Sequence, residues 1–292
     1  MKNFLNYNYN LFPSKIYYDN NERYFFVDDY KVYICEYDGN DIQKIVNISN
    51  TLFSEGFKIN TILSNKHGKY ISKFKNKNII LVRVNSIESD ILEYSDILKF
   101  ERKIDKLNLK EVNLINEWMN EIDLLEKELL EYNSEYSVIK ESFDYCIGCA
   151  ENAVQLYKMS ETKQTVSLGH FNCSILNMKN YLNPLLLCNI DFNYEISNYI
   201  KNKFINNAVD YEELYMIINN NKTPERLFAC LLYPSHYFYI VKKMLLGQEN
   251  TNAQKHVMKY MENTKRYKDF LIFIKKQLKK NREIQLLDWI NK

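Results

Sequence analysis

The stretch GHFNCSILN, residues 169–177, holds a histidine, an asparagine two places on and a second asparagine five further, and CNIDF follows at 188–192. What surrounds the two segments decides how they read. Ahead of them the chain alternates apolar and polar residues in short runs. YFFVDD (24–29) and KVYICEYDGND (31–41) predict a hairpin, and GKYISKF (68–74), the polar turn KNKN and IILVRV (79–84) predict a second. Between them DIQKIVNISNTLFSEGF (41–57) has helical spacing through Ile42, Ile45, Val46, Ile48, Leu52 and Phe53, with Gly56 as its stop. From Asp90 onward the pattern turns helical. EVNLINEWMNEIDLLEKELLEY (111–132) lines up Leu114, Ile115, Trp118, Ile122, Leu125 and Leu129, and a second long helix is expected over 136–157. LLLCNID (185–191) reads as a short buried strand, and a later helix opens at Thr223-Pro224-Glu225, with Thr223 as N-cap and Pro224 at the first helical position. The expected architecture is α+β and two-lobed: a β-rich N-lobe with one helix over 1–85, and a helical C-lobe over 86–292.

The spacing of His170, Asn172 and Asn177 is that of the protein-kinase loop H-R-D-L-x-x-x-N. There an aspartate takes the substrate hydroxyl proton and an asparagine five residues on holds magnesium. A second aspartate, at the end of a short strand, binds the metal that bridges the nucleotide phosphates; Asp191 stands in that place. The loop therefore spans 168–177 and the metal-aspartate strand 185–191, with Asn177 and Asp191 as candidate magnesium ligands. The departures are as informative. Asn172 occupies the base position, and an amide can orient a hydroxyl but cannot take its proton. The first glycine is Gly39, beyond the hairpin where a phosphate-covering loop would sit, and the strand expected to display a phosphate-binding lysine presents Cys35 and Glu36 instead. His170 reads as scaffolding of a vestigial loop, and Asp191 has a second reading as a helix-cap carboxylate.

Composition narrows the partners. Thirty-nine basic against 37 acidic residues give a net charge of +2, which supplies no field to draw nucleic acid. No apolar run approaches the ~20 residues that span a bilayer, and the N-terminus MKNFLNYNYNLFPSK lacks the apolar core of a secretory signal. Six scattered cysteines are expected as reduced thiols. Cys146 and Cys149 form a C-x-x-C inside a predicted helix, where buried thiols account for them better than zinc or redox chemistry. TKRYKDFLIFIKKQLKKNR (264–282) is expected as a surface helix with Tyr267, Phe270, Leu271, Ile274 and Leu278 facing inward, and Pro234 is expected to bend or interrupt LLYPSHYFYI.

Three segments carry a family likeness: SFDYCIGCAENAVQLY (142–157), the run from Val166 to Ile200 with SLGHFN, NPLLLCNIDF and EISNYI, and RLFACLLYPSHYFYIVKKM (226–244). They resemble the CotS/YutH-type spore-coat proteins of endospore-forming bacteria, the YutH branch most strongly. That resemblance implies an aminoglycoside-phosphotransferase-like, kinase-like fold whose loop lacks the kinase aspartate. It implies a structural or assembly role in the coat, with other coat proteins as partners, synthesis in the mother-cell cytoplasm and deposition on the spore, and no resident cofactor. The competing reading is an ATP- and magnesium-dependent phosphotransferase acting on a sugar or amino sugar. It needs Asn177 and Asp191 as metal ligands and a base other than Asn172.

Overall fold

The structure is a computed structural model that describes residues 1–19, 22–39, 41–85, 91–101, 109–131, 137–160, 166–171, 173, 176–245 and 253–280. It divides into two compact units. The first is 1–92 together with 177–187; the second is 93–176 together with 188–292.

In the first unit the elements run α1 (Lys2–Tyr9), β1 (Tyr17–Asp19), β2 (Glu22–Val27), β3 (Tyr30–Glu36), α2 (Ile42–Ser54), β4 (Thr61–Leu63), β5 (Ser72–Phe74) and β6 (Lys77–Arg83). The strands form an antiparallel sheet in the order β1-β2-β3-β6-β4, with β5 also paired to β6. Both predicted hairpins are present. The second turns through Lys75 and Asn76 at φ 46° and 64°, the left-handed pair that matches the twist of a tight hairpin. Period-two alternation sends side chains to both faces. Phe25, Val32, Ile34, Ile79 and Leu81 pack with Phe4 and Leu5 of α1, while Tyr33, Ile62, Ile80 and Val82 pack with Val46 of α2. Covering both faces explains the unbroken apolar run in β6. α2 ends as expected. Gly56 takes φ 84°, its N–H donates to Phe53 O, and Phe57 N donates to Leu52 O, the paired bonds of a Schellman cap. Phe53, expected on the buried face, is 49% exposed. The helix α1 and the three-residue strands β1 and β4 add to the sequence expectation.

The second unit begins with α3 (Tyr94–Glu101), α4 (Leu114–Glu131), α5 (Ser137–Met159) and β7 (Val166–His170). The chain then passes through α6 (Met178–Tyr181) and a 3-10 turn at Pro184–Leu186, both in the first unit, before β8 (Leu187–Asp191) returns to pair with β7. α7 (Phe192–Ile205), α8 (Tyr211–Asn220), α9 (Pro224–Leu232), α10 (Ser235–Leu245) and α11 (Ala253–Lys280) complete it. Leu114, Trp118, Ile122 and Leu125 are buried along α4. Phe270, Leu271, Ile274 and Leu278 are buried along α11; residues 281–282 of the predicted helix lie outside the described residues. Pro234 interrupts the aromatic run, ending α9 at Leu232 and letting α10 start at Ser235. No helix among the described residues is long and apolar enough to cross a membrane.

Candidate functional site

Two of the motif residues, His170 and Asp191, end the strands of a two-stranded ribbon, β7 and β8. Gly169 is the close-approach position: a Cβ there would stand 2.7 Å from Ile190 Cγ2 and 3.1 Å from Glu195 Oε2. That clearance lets α7 pack over the end of β7. His170 follows and is fully buried. Its Nδ1 lies 2.6 Å from Glu195 Oε1, its backbone N–H donates to Glu195 Oε2 at 3.0 Å, and the Phe100 ring meets it edge-on at 5.5 Å. One α7 carboxylate thus holds both the ring and the main chain of the residue that opens the loop. Asn172 lies outside the described residues.

Asn177 and Asp191 share a local role. The Asn177 side chain accepts from Asn180 N at 2.9 Å and caps α6. Asp191 has no exposed surface and caps α7, with Oδ1 accepting from both the backbone N and the Nδ2 of Asn193 at 2.8 Å. Its Oδ2 accepts from the Tyr157 hydroxyl at 2.6 Å and from Arg226 Nη1 at 3.2 Å. A carboxylate offers about four lone-pair positions, and protein donors meet four here. Burial, followed by the Asp191 charge, pushes the Tyr157 hydroxyl up, so it stays a donor. Arg226 is itself held, its Nε donating to Ser160 Oγ at 2.8 Å and its guanidinium lying 5.0 Å from the Tyr157 ring centre. A magnesium ion does not fit Asp191 in this arrangement without displacing the arginine or the cap.

The network continues through Thr223. It occupies the N-cap position of α9 with Pro224 next, as the sequence predicts, but makes no side-chain cap bond. Its Oγ1 instead accepts from Asn193 Nδ2 at 2.7 Å, while Asn221 Oδ1 accepts from Thr223 N at 2.8 Å. Sequence reasoning missed Glu195, Tyr157 and Arg226. A signal for Glu195 exists: it lies one helical turn after Asp191, on the same face of α7.

In the first unit, β1 ends at Asp19 and β2 begins at Glu22. Two residues separate them, where a phosphate cover of the G-x-G-x-x-G type spans about six. β3 does carry a lysine, Lys31, which the sequence reading passed over. Its ammonium lies 4.4 Å from the ring centres of Tyr24 and Tyr33 and donates to the Tyr33 hydroxyl at 2.5 Å. Glu36 pairs with Arg23 and Lys77.

The second unit holds a cleft of about 540 Å³ beside Phe171 and Cys173, with Glu121, Tyr194, Tyr239 and Lys242 among its walls. Glu121 accepts from the Tyr233 hydroxyl at 2.7 Å, and burial raises its carboxyl above the usual range. The cysteines are free thiols. Burial pushes Cys146 up and Cys149 to about 11, and among the described residues no cluster of three or more His, Cys, Asp or Glu could hold a metal.

A two-stranded ribbon carrying a His-x-Asn loop and a strand-end aspartate, with a small antiparallel sheet and a large helical unit, defines the class: a kinase-like fold of the aminoglycoside phosphotransferase type. Solved structures agree. An aminoglycoside phosphotransferase from Alicyclobacillus acidocaldarius superposes with TM-score 0.62 at 9% identity, over 93% of this chain and 94% of that one. Spectinomycin phosphotransferase, in complex with ADP and spectinomycin, gives TM-score 0.58 at 12% identity, covering 88% and 92%. The amicoumacin kinase hAmiN, in complex with AMP-PNP, Ca²⁺ and Ami, gives 0.53 at 10% identity, covering 88% and 90%. At such identities the likeness shows the fold alone. The family profile described as "Spore coat putative kinase YutH" matches residues 2–274, and the chain belongs to that spore-coat family. A search of curated proteins returned no match.

Proposed function

We propose that this protein is a structural or assembly component of the endospore coat, built on a kinase-like fold that does not transfer phosphate. Its partners on this reading are other coat proteins, and its place is the coat, reached from the mother-cell cytoplasm. The observation that carries the proposal is the saturation of Asp191 by Arg226, Tyr157 and Asn193. The residue in the metal-aspartate position serves as a buried cap and ion-pair partner, as Asn177 serves as the cap of α6. Neither is a magnesium ligand on this reading. Asn172 in the base position and the two-residue β1–β2 connection point the same way.

Asn177→Ser tests it, because serine keeps the N-cap while removing the amide oxygen a metal would use. Spores from a strain carrying the variant are expected to hold as much of the protein in extracted coat as wild-type spores. Loss of incorporation by a variant that still unfolds normally in vitro would contradict the reading.

The second reading is ATP-dependent transfer to a sugar or amino sugar, with magnesium held by Asn177 and Asp191. The cleft beside Phe171 and Cys173 favours it, because Glu121 there is a half-buried carboxylate whose pKa desolvation raises, the kind of group that can act as a general base. Phosphate transfer abolished by Glu121→Gln would establish it.

A further inference from the structure

A second cavity lies elsewhere in the helical unit, between the last turns of α7, the corner joining α9 to α10, and the middle of α11. Its cavity volume is about 160 Å³, room for a compact ligand and below the roughly 300–1,000 Å³ of drug-sized sites. Its walls are largely apolar or aromatic, with Phe204, Pro234, Tyr260 and Tyr267 among them. Its charged and titratable cationic members are Lys201, Lys259 and His236, and no carboxylate among the described residues lines it.

Lys201 is the unusual member. It is 6% exposed, yet no carboxylate pairs with it among the described residues. Its ammonium donates to the carbonyls of Cys230 at 2.7 Å and Tyr233 at 2.8 Å, and more distantly to Ser235 Oγ at 3.3 Å. The first two bonds use carbonyls at the end of α9, whose partial charge is about half a unit. The third faces the cavity, because Ser235 lines it and opens α10. Beside Lys201 are Cys230 of α9, Tyr233 just past its end and Ser235 of α10, and His236, Lys259, Tyr260 and Tyr267 line the same cavity; none of these is acidic at neutral pH. A buried charge without a counter-charge is costly, and strongly perturbed groups in clefts are candidates for function.

We propose that this cavity binds a small amphipathic organic anion. Its carboxylate accepts from both Lys201 Nζ and Ser235 Oγ, in place of the 3.3 Å bond that joins them, and its aromatic or aliphatic body lies along Phe204, Tyr260 and Tyr267. Lys259, exposed at the rim, adds attraction at long range. The ligand supplies the counter-charge that the fold withholds. Burial holds the Lys201 amine at about 7 without a ligand, so binding of an anion above neutral pH carries a proton onto the amine.

The test is calorimetric titration of the full chain with 3-phenylpropionate and with its uncharged analogue 3-phenylpropionamide. Titrations are run at pH 8 in two buffers of different ionisation enthalpy. The carboxylate is expected to bind one per chain, about tenfold or more tighter than the amide, with uptake of part of a proton that Lys201→Met removes. Should Lys201→Met not fold, Ser235→Ala and the rim variant Lys259→Glu read the same site, and each weakens the carboxylate while sparing the amide. Absence of saturable binding at millimolar carboxylate, equal binding of the two compounds, or binding untouched by the folded variants would each overturn the proposal.

Discussion

Asp191 and Lys201 are both buried charges of one helix, one at the cap of α7 and the other in its third turn, and the fold treats them oppositely. Asp191 receives an arginine, a tyrosine hydroxyl and an asparagine. Lys201 receives two carbonyls and a hydroxyl, and no carboxylate. A buried charge that the protein pairs with an opposite charge is part of the framework, and breaking it costs stability. One left without a counter-charge costs stability while it stands, and that is the signature of a place kept for something else. On the proposed reading, the position that the motif marks as chemical is the structural one, while a lysine outside any motif is the candidate for binding.

The largest effect that can break this contrast is at Asp191. Asp191→Ala strands the Arg226 guanidinium and uncaps α7, and is expected to cost ~3–5 kcal/mol in urea denaturation. A cost under ~1 kcal/mol, the level of a lone cap, would put Asp191 outside the framework.

At Lys201 the corresponding signature is a pH slope. Its folded value is about 7, and the unfolded chain regains the ordinary lysine value near 10.4. Between those values the unfolded state holds a proton that the folded state has released. Stability from this group therefore rises with pH, and the penalty is fully present below pH 7. Between pH 7 and about pH 8, before the cysteine thiols that burial raises in the fold titrate near 8.5 in the unfolded chain, the rise is at most ~1.4 kcal/mol per pH unit. Lys201→Met should flatten it in denaturation curves taken at stepped pH.

A smaller effect separates the two carboxylates that organise the ribbon. Glu195→Gln keeps an acceptor for the His170 backbone but removes the charge beside its ring, for an expected loss of ~2 kcal/mol. Smallest is Thr223→Ala. Its hydroxyl accepts one bond from Asn193 and caps nothing, so ~1 kcal/mol is expected, read as a shift in urea midpoint at constant slope.

The order of elements was legible because it rests on local signals. Lys75–Asn76 form a polar two-residue turn, Gly56 is the one residue that stops α2 without strain, and Pro234 cannot continue a helix. The motif spacing likewise placed Asp191 at the end of a strand, while β7, which ends at His170, falls partly inside the loop expected over 168–177. What sequence could not supply was partners. Tyr157, Arg226 and Glu195 reach Asp191 and His170 from 25 to 35 residues away, and no periodicity encodes such a meeting. The strands β1 and β4 are three residues each, too short for alternation to register. No helix was legible in the asparagine-rich KNFLNYNY of α1, because asparagine is a poor helix former; the contacts of Phe4 and Leu5 with the sheet override that preference. Thr223 had the right position and the wrong bond, since Asn193 competes for its hydroxyl.

The most direct test of the central claim is thermal denaturation of the purified chain with millimolar ATP, with and without magnesium. A native-state ligand at 100 times its dissociation constant adds ~2.7 kcal/mol, a shift easily seen. The account predicts no magnesium-dependent change in melting temperature. A magnesium-dependent rise with ATP that Asn177→Ser abolishes would show a working metal–nucleotide site and contradict it.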